Sequence, residues 1–217
     1  MELLEHVIDS IEKATNNESN LANEIINMQN DNGTMSLTGL HLLNNLCKRD
    51  DTRFLQVGCW NGINLCSAIC ANKIKCFLID NFIDTSDIDK DKFNSNLNYV
   101  KENLSESTDI FLMQKDFKNI KQSCIGRYNI FLLNLAFIND SGLLNLISNF
   151  LVCLDKTFIL IINNLTNSLR ESVANEINNN NIEILHEYEF DLTKLYLLKK
   201  PLTNDELKLI EDSIEQN

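Results

Sequence analysis

The chain has 217 residues, enough for one well-buried domain and too few for two large ones. With 44% apolar and 23% charged residues it reads as a globular protein, and a formal net charge of −12 argues against general affinity for nucleic-acid backbones or anionic membrane surfaces. Seven cysteines, an odd number with no CxxC spacing, argue against a disulfide framework or a structural zinc site and for buried free thiols.

The first segment, "MELLEHVIDSIEK", is acidic and amphipathic and lacks an apolar leader core. No stretch approaches the ~18 apolar residues of a membrane span. An intracellular, cytoplasmic setting is therefore expected. Residues 1–33 read as an N-terminal helical extension, 34–200 as the core and 201–217 as a C-terminal helical tail, together one domain.

A helix is predicted over "LTGLHLLNNLCKR" (37–49), followed by a strand, "RFLQVG" (53–58). A helix over "GINLCSAICANK" (62–73) leads to a second strand, "KCFLID" (75–80). The polar helix "DKDKFNSNLNYVKENL" (89–104) precedes a third, "DIFLMQ" (109–114). "NIFLLN" (129–134) is the fourth strand and "SGLLNLISNFLVCL" (141–154) the helix after it. "FILIIN" (158–163) is the fifth strand, followed by a helix over "SLRESVANEINNN" (168–180). Most of these strands are apolar on both faces, as strands covered by helices on both sides must be. The last two runs, "IEILHEYEF" (182–190) and "LTKLYLLKK" (192–200), are joined by too short a link for a crossover and should pair antiparallel. Five βα units followed by an antiparallel hairpin place a ligand site beyond the carboxyl ends of the strands.

That topology gives meaning to "GCWNG". Gly58 ends the first strand and Gly62 opens the next helix, where bare backbone lets a ligand approach. The spacing is GxxxG, not the GxGxxG of dinucleotide-binding folds. Asp80 ends the second strand, about 20 residues on, where an acidic side chain can accept from both ribose hydroxyls. Each feature alone could simply end a strand or start a helix; the three together point to a nucleoside.

Over residues 34–200 the sequence resembles the class I S-adenosylmethionine (SAM)-dependent methyltransferases, and most closely the small branch of catechol-type O-methyltransferases. The resemblance rests on "LLNNLCKRDDTRFLQVGCWNG", "FLIDNF", "QKDF" and "LVCLDKTFILIINN", in that order. It implies an α/β, Rossmann-like seven-stranded sheet of order 3-2-1-4-5-7-6, with only strand 7 antiparallel and helices on both faces. It implies SAM as cofactor, with Gly58 and Gly62 facing its methionine part and Asp80 holding the ribose. Asn81 would lie near the adenine, Asp116 would accept from the adenine amino group, Phe117 would pack near the ring, and Asn134 would line the floor under the methyl group.

The departures from the family pattern are specific. Gln56 stands where the family carries an acid facing the cofactor's ammonium. Asn134, Phe137, Asn163 and Asn164 stand where metal-using relatives place Asp, His and two later acids. Three neutral amides and a phenyl ring suit neither magnesium nor calcium and supply no general base, so no metal is expected. His6, His41 and His186 fall on other elements and do not replace it. Cys59 and Trp60 lie inside the glycine loop and could cover a cofactor or plug the helix–sheet junction. Two functions remain: a metal-independent methyltransferase acting on a small molecule, glycan or protein side chain, or an inactive pseudo-methyltransferase serving as a binding module, such as the silent partner of an oligomer.

Overall fold

The computed structural model describes residues 2–30, 35–82, 87–105, 108–120, 126–135 and 145–201. Cys124, Phe137, the start of the helix expected over 141–154 and the tail helix expected after Pro201 lie outside the described residues.

Seven strands form one sheet: β1 (Arg53–Val57), β2 (Lys75–Ile79), β3 (Asp109–Met113), β4 (Tyr128–Asn134), β5 (Leu154–Asn163), β6 (Glu183–Phe190) and β7 (Thr193–Lys199). Their order is 3-2-1-4-5-7-6. β1 to β5 pair in parallel, and β7 pairs antiparallel with both β5 and β6. The β6–β7 register closes at Phe190↔Thr193, leaving only Asp191 and Leu192 to turn the chain. Asp191 adopts φ 48°, the left-handed region that tight hairpin turns need.

The helices are α1 (Leu3–Thr15), α2 (Asn23–Asn30), α3 (Leu37–Leu46), α4 (Ile63–Ile69), α5 (Asp87–Asn103), α6 (Leu146–Phe150) and α7 (Asn167–Asn179). Alternate strand residues face opposite sides. Phe54, Leu78, Leu132 and Ile161 pack under α1 to α5, while Leu55, Ile79, Phe131 and Ile162 pack under α6 and α7. That double cover explains the near-continuous apolar runs. Buried amides tie the first layer: Asn44 Nδ2 donates to the carbonyls of Ser67 and Cys70, and Asn72 Nδ2 to those of Asn44 and Ala68.

The stretch predicted as helix through Leu154 differs. α6 stops at Phe150, one 3₁₀ turn covers Leu151–Cys153, and β5 starts at Leu154, four residues earlier than its apolar core suggests. Pairing decides it, because Leu154 partners Tyr128 before an irregularity resets the register at Ile130↔Ile159. After β3, where no helix is predicted, a 3₁₀ turn covers Phe117–Asn119.

Candidate functional site

The glycine loop joins β1 to α4. Gly58 has φ 82° and Gly62 φ 80°, and Trp60 between them sits at φ 48°. Left-handed backbone is ordinary for glycine and disfavoured for a bulky residue. The Gly58 N–H donates to Ile79 O at 3.0 Å, and the Gly62 N–H to Cys59 O at 2.9 Å. A β-carbon on Gly58 would lie 2.9 Å from the Asn134 carbonyl oxygen, and one on Gly62 would lie 2.9 Å from the Phe93 ring. The close approach that each glycine permits is thus made by this chain: β4 against Gly58, and α5 against Gly62.

Asp80 follows β2 and reaches back to the loop. Its Oδ2 accepts the N–H of Cys59 at 2.5 Å and of Trp60 at 3.1 Å, and its Oδ1 accepts the N–H of Phe82 at 2.7 Å. A carboxylate has about four acceptor positions, so these bonds fill three. Half-buried Asn81 follows. Phe82 is buried at φ 53°, with its ring 5.4 Å from that of Phe93.

Asp116 and Phe117 stand beyond β3, the neighbour of β2. Asp116 Oδ1 accepts the Lys118 N–H at 3.0 Å and caps the 3₁₀ turn. Half-buried Phe117 packs against the second face of the sheet, with the Lys118 ammonium 5.8 Å above its ring.

A row of amides occupies the other strand ends. Buried Gln56 donates through Nε2 to Gly58 O at 2.9 Å, while its Oε1 is buried with no partner. Asn134 is buried at the end of β4, and its Oδ1 accepts from Asn164 Nδ2 at 2.9 Å. Asn163 pairs in register with Asn134, and its Oδ1 accepts from Thr193 Oγ1 at 2.9 Å. These bonds tie the ends of β4, β5 and β7. Among the described residues no group of three His, Cys, Asp or Glu side chains could hold a metal ion.

Gln56, Gly58, Asn134 and Asp80 therefore converge on the loop, while Asp116 bonds locally one strand further out. Sequence reasoning did not single out Phe93 or Thr193. Phe93 carried a signal, being the one phenylalanine of the largely polar α5 and one of its few apolar residues; Thr193 carried none.

Cys59, inside the loop, is a poor nucleophile. Burial, with the Asp80 carboxylate alongside, raises the Cys59 thiol well above its ordinary range, which leaves no thiolate at neutral pH. Burial also lowers His6 and His41. The His6 ring donates to Leu46 O at 3.1 Å, and His41 Nδ1 lies 2.7 Å from Ser19 Oγ, so both serve packing between the N-terminal helices and their connections. All six described cysteines are buried and free. A cleft of about 500 Å³ bordered by His6, Lys13, Lys48 and Arg49, and one of about 250 Å³ bordered by Thr52, Arg53, Lys75 and Asp109, lie at the opposite, amino ends of the strands.

No family model matches the sequence, and a search of curated proteins finds no match. Solved structures do match. A ribosomal protein L11 methylase from Lactobacillus delbrueckii subsp. bulgaricus superposes with a TM-score of 0.52 at 15% identity, over 75% of this chain and 77% of that one. A Streptococcus mutans protein described as a SAM-dependent methyltransferase gives a TM-score of 0.55 at 13% identity, over 76% of this chain and 50% of that one. A protein described as a methyltransferase, complexed with S-adenosylhomocysteine (SAH), gives 0.54 at 12%, over the same shares. The strand order and these likenesses together show that the chain has the Rossmann-like fold of the class I SAM-dependent methyltransferases.

Proposed function

We propose that this protein is a SAM-dependent methyltransferase that works without a metal, of the small catechol-type branch, in the cytoplasm. The observation that carries the reading is the meeting of Asp80, Gln56 and the Gly58–Gly62 loop at the carboxyl ends of β1 and β2, where this topology binds ligands. The partnerless Gln56 Oε1 fits an ammonium donor, directly or through one water, and the remaining acceptor position on Asp80 fits a ribose hydroxyl. Asn81, Asp116 and Phe117 would border the adenine, and Asn134 the methyl group.

SAM, when bound, supplies a sulfonium methyl that is electrophilic without further activation. The chain's part is to hold that methyl in line with the acceptor and to exclude water. Asn134, Asn163 and Asn164 offer no general base, so the reading favours an acceptor that is already nucleophilic, an amine or a thiolate on a small molecule, glycan or protein side chain. The L11 methylase names a protein acceptor, which is one of these classes. The net charge of −12 gives no general attraction to nucleic acid or membrane.

Calorimetric titration with SAM and SAH tests the proposal. Binding of both is expected. Silence at millimolar ligand would favour the second reading, a pseudo-methyltransferase kept as an interaction module. That reading draws on the amides tied to one another and on the space beside Gly58 and Gly62 being filled by Asn134 and Phe93.

A further inference from the structure

We propose that Asp80 fills the anion seat of the glycine loop, so that it positions the loop and leaves a single acceptor position for a bound nucleoside. The second half rests on the cofactor reading above; the first does not.

Consecutive N–H groups that converge in a turn containing left-handed residues form a concave seat for an anion. Here Cys59 and Trp60 supply them, between Gly58 and Gly62. In loops that bind phosphate the ligand takes such a seat. In this chain a carboxylate from the next strand takes it, with one oxygen shared between both donors. Trp60 needs that support. Its left-handed backbone is costly for an indole-bearing residue and persists only where the surroundings impose it. The loop is also tethered by Gln56 at the Gly58 carbonyl, so β1 and the residue that follows β2 both hold it.

Two consequences follow. A ligand phosphate or carboxylate finds no donors at Cys59 and Trp60, which disfavours nucleotides against nucleosides without phosphate. And with three of about four acceptor positions used, Asp80 can take one ribose hydroxyl fully, not two.

Amide hydrogen exchange on the free protein tests the loop. In Asp80→Asn the Cys59 and Trp60 amides should exchange at least about ten-fold faster, while the Leu78 and Phe131 amides in the sheet keep their wild-type rates. Asp80→Glu, which retains a carboxylate, should recover part of the protection. Unchanged loop amides in Asp80→Asn would overturn the proposal. Should that variant unfold, the wild type decides: a through-hydrogen-bond coupling from the Cys59 nitrogen to the Asp80 carboxyl carbon is expected, and its absence overturns the claim. For the ligand, SAH is compared with its 2′-deoxy and 3′-deoxy forms. One of them should bind about ten-fold more weakly and the other less than about three-fold. Equal losses would refute the single-position claim. If wild type binds no SAH at all, the cofactor reading fails and the claim of one position for a nucleoside fails with it, while the exchange data still decide the loop.

Discussion

Gln56 donates to the carbonyl of Gly58 two residues away, at 2.9 Å, and its own oxygen is buried without a partner. An acid at this position could not make that bond while ionised. The amide is therefore not merely a lost carboxylate; it fixes the exit of β1.

Gln56→Glu should move two readouts in opposite directions. The free variant should lose about 1–3 kcal/mol of stability, because a buried carboxylate would face the Gly58 carbonyl oxygen with its donor gone. The loss should grow as pH rises and the introduced acid ionises. SAM affinity should increase, because the cofactor's ammonium offsets that charge. Denaturant titration across pH and calorimetry check the pair. A variant as stable as wild type at neutral pH would show that the Gln56–Gly58 bond carries nothing.

Gly62→Ala should destabilise the protein by roughly 1–3 kcal/mol. The new methyl would stand 2.9 Å from the Phe93 ring on a backbone at φ 80°. Combining it with Phe93→Ala should give less than the sum of the two single losses, since the clash is counted once. Strict additivity in urea unfolding would place the cost in the backbone alone.

Glu176 predicts a pH dependence. From α7 its Oε1 accepts the N–H of Leu146, and its Oε2 those of Ile147 and Ser148 at the start of α6. Burial raises its pKa, and the N–H donors only partly offset this. A carboxyl raised in the folded state contributes stability that is complete below its ordinary value, about 4.3, and is lost as pH rises through the raised value. The stability difference between wild type and Glu176→Gln should therefore be larger at acid pH than at neutral pH. A difference curve flat with pH would contradict this.

SAM or SAH binding should be indifferent to EDTA and to added magnesium, because Asn134, Asn163 and Asn164 bring amides where a divalent cation needs carboxylates. The same calorimetry run with chelator checks it; affinity that collapses in EDTA would mean that other ligands gather at the site.

Much of the fold is carried by short-range pattern. Continuous apolar runs such as "FLLN" and "FILIIN" require cover on both faces, and alternation with helical segments requires parallel crossovers. The two-residue link at Asp191 and Leu192 leaves no crossover for β7, so its reversed direction was readable too. Gly58, Gly62 and Asp80 were visible as candidates because strand ends and glycine spacing are local features.

Their partners were not visible, because contact is not a property of spacing. The sequence by itself determined that Gly62 opens a helix; only the tertiary structure decided that Phe93, 31 positions on, lies against it. It determined that Asp80 ends an apolar strand run; folding decided that the carboxylate turns to the amides of Cys59 and Trp60. The start of β5 was settled the same way, by Tyr128 across the sheet rather than by the residues around Leu154. In each case the deciding energy is a hydrogen bond or a steric limit between segments distant in the chain. Local propensity fixes which element a residue occupies, but what its side chain meets depends on which segments the sheet brings together.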